Sequence, residues 1–82
     1  MRLLKHGANF HVLETHAGAV LLSYENPAAL RLGSVYYQRR AAISRATWAH
    51  LVRFVPADMT AVIVPPEQFA VYLSEILSSS EV

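Results

Sequence analysis

Eighty-two residues allow one domain and one core, and a hydrophobic content of 54% excludes a disordered chain. The absence of cysteine excludes a disulfide framework and any thiolate metal site. A net charge of +1 hides an asymmetry: all seven Lys and Arg lie in residues 1–53 with two acidic residues, and residues 54–82 hold four acidic residues and no Lys or Arg. Such a division fits a face for a polyanion, or two halves that attract each other or a second copy.

In chain order, residues 1–9 show little periodicity, so frayed ends are expected at about 1–6 and 79–82. The N-terminus lacks the long apolar run and cleavage site of a signal peptide. No stretch approaches the ~20 apolar residues of a membrane helix. The expectation is a cytoplasmic chain with no membrane contact. Phe10–Glu14 and Ala19–Tyr24 read as strands of a hairpin, with Gly18 free to take positive φ in the connection. Pro27 removes a ladder donor and restricts Asn26, so Glu25-Asn26-Pro27 reads as a break, after which Ala28–Leu32 resumes the strand.

Leu32-Gly33-Ser34-Val35 is a two-residue hairpin signal, with Gly33 at the first position of a type II′ turn. The register follows: Leu32 opposite Val35, Arg31 opposite Tyr36, Leu30 opposite Tyr37 and Ala29 opposite Gln38. Leu30, Leu32, Val35 and Tyr37 then share a core face, and Arg31, Tyr36 and Gln38 the solvent or partner face. A helix over about 45–55 follows, capped by Ser44 or Thr47 and stopped at Pro56, with Trp48, Leu51, Val52 and Val55 at i, i+3, i+4, i+7 spacing. Ala61–Val64 is apolar on both faces and reads as a central or covered strand. A second helix over about 66–78 carries the stripe Phe69, Tyr72, Leu73, Ile76, Leu77.

The order β-β-β-β-α-β-α implies a small two-layer α+β domain, its antiparallel-rich sheet of four or five strands covered by two helices on one face. Trp48, Leu51, Val52, Phe69, Leu73, Ile76 and Leu77 are expected to be buried against Val20, Leu22, Leu30, Leu32 and Tyr37.

Over residues 19–53 the chain resembles a family of small uncharacterised domains encoded by phages, plasmids and their prokaryotic hosts. Their pattern is Ser-Tyr-x-Thr-Pro, a small apolar strand ending in a basic residue, a hairpin, then Ser-x-Thr-Thr-x-x-His opening a helix. Ser23, Tyr24, Pro27 and Arg31 match the first part, and Ser44, Thr47 and His50 the second. Asn26 and Ala46 depart from the pattern at its Thr positions. The resemblance implies a fold core and a mobile-element origin, and no activity.

Arg39 and Arg40 lead into Ser44, Arg45 and Thr47, where helix-start N–H groups, hydroxyls and guanidiniums suit a phosphate. Capping alone also accounts for both hydroxyls. Tyr36 offers a stacking ring, so Arg31, Tyr36, Arg39, Arg40, Ser44, Arg45, Thr47, His50 and Arg53 form the candidate binding set. His6, His11 and His16 have no metal-ligand spacing, and nothing calls for a cofactor. Ser44 and His50 stand on different sides of one helix, poorly placed as nucleophile and base. The reading is a non-catalytic protein acting through a homodimer or a host protein. The alternative is binding of DNA, RNA or another polyanion through Arg39, Arg40 and Arg45.

Overall fold

The chain folds as β1 (Arg2–Gly7), β2 (Phe10–Glu14), β3 (Gly18–Ser23), β4 (Asn26–Leu32), β5 (Val35–Arg39), α1 (Arg45–Phe54), β6 (Val62–Val64) and α2 (Pro66–Ser78). The computed structural model describes residues 2–78. The six strands lie in sequence order in one sheet, antiparallel from β1 to β5 and parallel between β5 and β6. The α+β class and the antiparallel-rich sheet are those the sequence implies. The ends differ: residues 2–7 are not frayed but form edge strand β1, because Leu3 and Leu4 continue the ladder opposite Leu13 and Val12. The expected fraying at 79–82 lies outside the described residues.

The helices do not share a face. α1 lies over a cluster of Phe10, Val12, Ala19, Leu21, Ala28, Ala29 and Leu51, and α2 over one of Val20, Leu30, Val64, Phe69 and Ile76. Successive strand residues point to opposite sides, so Val20 and Leu21, adjacent and both fully buried, require a cover on each side of the sheet. Two apolar faces need one helix apiece, which gives three layers rather than two.

The β4–β5 hairpin has the register read from the sequence, Leu32↔Val35 through Ala29↔Gln38. Gly33 has φ +62 and Ser34 does not share it, as a type II′ turn requires. Val35, expected in the core, is exposed at the hairpin tip.

The preceding turn differs from expectation. Tyr24 and Glu25 form a two-residue connection with φ of 53° and 66°, the type I′ geometry that favours Asn-Gly. β4 begins at Asn26, and Pro27 stays in the ladder beside a register irregularity at Leu21/Leu22, the kind of place that tolerates proline. Gly18 is needed for close approach and not for positive φ: a Cβ there would meet the Arg31 carbonyl oxygen at 1.7 Å.

Ser44 caps α1 by accepting from the Thr47 N–H. The α1 stripe is rotated from the expected one. At ~100° per residue, Thr47, His50, Leu51 and Phe54 form the side turned to the sheet. Trp48 (55% exposed) and Val52 (62% exposed) lie on its flank, in contradiction to the burial read for them. In α2, Phe69 and Ile76 are buried as read, Tyr72 and Leu73 half-buried, and Leu77 exposed. β6 is not central: it pairs with β5 alone and closes the far edge of the sheet, with Val62 and Ile63 exposed.

Candidate functional site

Helix α1 divides its face of the sheet into three regions. Beneath its N-terminal half is a polar joint. Ser23, 3% exposed, ends β3 on the α1 side. Its Oγ lies 2.9 Å from Thr47 Oγ1 and 2.8 Å from His50 Nδ1. Ser44 Oγ donates to Thr47 Oγ1 at 3.1 Å.

Each hydroxyl has one hydrogen, so two arrangements satisfy the chain of contacts. Thr47 donates to Ser23, which donates to Nδ1, or Nδ1–H donates to Ser23, which donates to Thr47. A neutral imidazole fits either arrangement, and an imidazolium only the second. Phe10 stacks below His50 at 4.8 Å between ring centroids, and Tyr24 lies beside it at 5.9 Å.

All the residues that carry the resemblance in the second half of the pattern therefore converge on Ser23 of the first half. The joint ties helix to sheet, and both neighbours of the Ser23 oxygen are protein atoms. Next to it the two left-handed residues Tyr24 and Glu25 hold strain of order 1–3 kcal/mol each. Tyr24 N–H donates to the Asn9 carbonyl, and Asn26 Nδ2 donates to the Tyr24 carbonyl. A cavity of about 180 Å³ adjoins the joint, lined by Tyr24, Asn26, Arg39, Ser44 and Thr47.

On the β6 side, Trp48, Val52, Val55, Met59 and Ile63 line an open apolar groove of about 420 Å³. Its floor follows from the pairing Gln38↔Ile63, since α1 covers β3 and β4 and stops short of the last strand. On the β1 side, a cavity of about 270 Å³ is lined by Phe10, Glu14, Ala19, Arg31, Tyr36, Arg53 and Phe54.

The nine candidate residues are thus not one patch. Ser44, Thr47 and His50 are joined at the polar joint, and Arg39 lines the small cavity beside it. Arg31, Tyr36 and Arg53 meet at the other end of the helix, and Arg40 and Arg45 are exposed near its start. The Ser44 and Thr47 hydroxyls are engaged in capping and in the joint, so an anion at the helix start would compete with existing bonds. The candidate set read from the sequence omits Met59, Ile63 and Ser23, the last of which it names only as part of the resemblance. A serine ending an otherwise apolar strand was the available signal for Ser23. Among the described residues no three His, Asp or Glu side chains are grouped to hold a metal ion, and no helix is long and apolar enough to cross a membrane.

No family model, curated protein or solved structure matches the chain.

Proposed function

We propose that this chain is a small non-catalytic interaction protein of phage or mobile-element origin. It acts through protein–protein contact, with a second copy as its simplest partner. The origin rests on the pattern from Ser23 and Tyr24 to His50 alone. The contact surface rests on one observation: the single tryptophan of the chain, Trp48, stands 55% exposed on a helix flank beside Val52 and Ile63.

Tryptophan supplies large contact area and is enriched where binding energy concentrates. The groove it borders is continuous with β6, an apolar edge strand whose outer N–H and C=O groups invite another strand. Both features serve a partner better than they serve the monomer.

Trp48 reports directly on the test. As concentration rises through the micromolar range, dimerisation at this surface moves Trp48 emission to the blue, with a doubling of mass in sedimentation. Val52→Lys or Ile63→Lys, both at exposed positions, keeps the fold and abolishes the two changes together. A wild-type chain that sediments as a monomer with constant Trp48 emission removes the second copy as partner.

A further inference from the structure

We propose that the cavity between the C-terminal half of α1 and strands β1–β2 binds the phosphate and base of a nucleotide, held by Arg31 and Arg53 against Tyr36 and Phe54. The site lies on the opposite flank of α1 from the apolar groove and does not depend on the protein-contact reading. Its construction begins with one row across the sheet, Arg2↔Glu14↔Ala19↔Arg31↔Tyr36. Ala19, the smallest member of the row, sits at its centre and leaves space under the helix end. Arg53 and Phe54 project from the last turn of α1 over that space.

The electrostatics point to an anion. The one carboxylate on the cavity, Glu14, is already engaged by the Arg2 guanidinium. Neither Arg31 nor Arg53 has an ion-pair partner among the described residues. Both are nevertheless held in place, by neutral groups. Arg31 Nη1 donates to the Gly33 carbonyl at 2.6 Å, and Arg53 lies over the Phe10 ring with Cζ 4.9 Å from its centroid.

Each guanidinium offers five N–H donors, so these fixings leave donors for a ligand. Two held guanidiniums lining one cavity, whose single carboxylate is engaged by Arg2, supply the positive charge and N–H donors that a phosphate takes. Tyr36 and Phe54, half-buried and edge-to-face with centroids 5.5 Å apart, add an aromatic wall on which a planar base rests. The volume of about 270 Å³ is on the scale of one nucleotide. The same chemistry is offered by a free nucleotide and by a single strand.

The test is a titration of the isotope-labelled chain with 5′-AMP, followed by amide chemical shifts. Saturable shifts are expected at Ala19, Arg31, Tyr36 and Phe54, and none at Val52 or Ile63. Arg53→Gln, at an exposed position, and Arg31→Gln each weaken binding about tenfold or more. Adenosine and inorganic phosphate bind more weakly than 5′-AMP. A short oligo(dA) separates the sources: affinity that rises with chain length and falls steeply with salt marks a strand, and affinity equal to that of 5′-AMP marks a free nucleotide. The proposal is overturned by the absence of shifts at millimolar 5′-AMP, by binding unchanged in both variants, or by inorganic phosphate binding as tightly as the nucleotide.

Discussion

The two faces of one sheet solve the same covering problem with different materials. Under α2 the cover is dry: Val20 and Leu30 from the sheet meet Phe69 and Ile76, with Leu13, Leu32 and Tyr72 closing the rim. Under α1 the sheet offers Ala19, Ala28 and Ala29 beside Phe10, Val12 and Leu21, and the helix returns Thr47 and His50 as well as Leu51 and Phe54. The three alanines let the helix approach, and α1 leaves a cavity on each flank and turns Trp48 and Val52 outward. Both faces bury an apolar cluster, and the α1 face adds a polar joint and open flanks. A domain of this length has little stability to spare, since small chains bury a modest share of their surface.

The sharpest way to break that contrast is to open an equal hole on each side. Ile76→Ala removes a side chain that is wholly buried in the α2 cluster, and is expected to cost about 2–5 kcal/mol. Leu51→Ala removes the only buried apolar side chain of α1. It borders the open groove, where neighbours and water relax into the space, and its cost falls toward the lower end of that range. Urea unfolding of both variants measures the difference. Equal losses, or a larger loss at Leu51, would mean that the α1 face is as tightly filled as the other.

The joint offers a second and smaller effect. Ser23→Ala leaves Thr47 and His50 each short of a partner at a half-buried seam, with an expected loss of about 1–3 kcal/mol. Thr47→Val removes another member of the same network, and the pair taken together should cost less than the sum of the two. Additive losses would show the hydroxyls acting separately, with no joint between strand and helix.

This contrast also explains what could be read in the chain beforehand. The α2 stripe and the β4–β5 hairpin obey local rules, apolar spacing in one case and turn chemistry at Gly33 in the other. The helix and the strand register are legible in the sequence, although Leu77 and Val35 are exposed rather than buried. The α1 stripe is not legible. Trp48, Leu51, Val52 and Val55 satisfy helical spacing, yet Thr47 and His50 take the sheet side because Ser23, 24 or more residues earlier, supplies their hydrogen bonds. No periodicity in a helix encodes a partner that distant. β6 failed for a related reason: a strand apolar on both faces reads as covered, and nothing local distinguishes a covered strand from an exposed edge strand. The division of the basic residues between the two ends of α1 likewise depends on the fold of the sheet beneath it. The departures from simple rules collect at the surfaces proposed for contact and ligand, as expected where function overrides local preference.

The smallest effect probes the rim of the dry face. The Tyr37 and Tyr72 rings stand 4.5 Å apart between β5 and α2. Burial pushes the Tyr37 phenol above its ordinary value of 10.0, with charge repulsion from Tyr72 and a hydrogen bond that the Tyr37 phenol donates to Tyr72 adding to the rise. Between the ordinary and the raised value, the folded chain keeps this proton and the unfolded chain loses it. Unfolding then releases a proton, and rising pH favours it. The contribution of Tyr37 is therefore fully present below about pH 10 and is lost as pH climbs through the folded value. Tyr37→Phe removes the titration and keeps the ring. Other groups also titrate in alkali, so the informative quantity is the difference in urea midpoint between wild type and variant at about pH 8 and about pH 11. That difference should move in favour of the variant at the higher pH. Midpoints that fall in parallel would mean that Tyr37 ionises as freely in the folded chain as in the unfolded one, and that the rim of the α2 face is as wet as the flanks of α1.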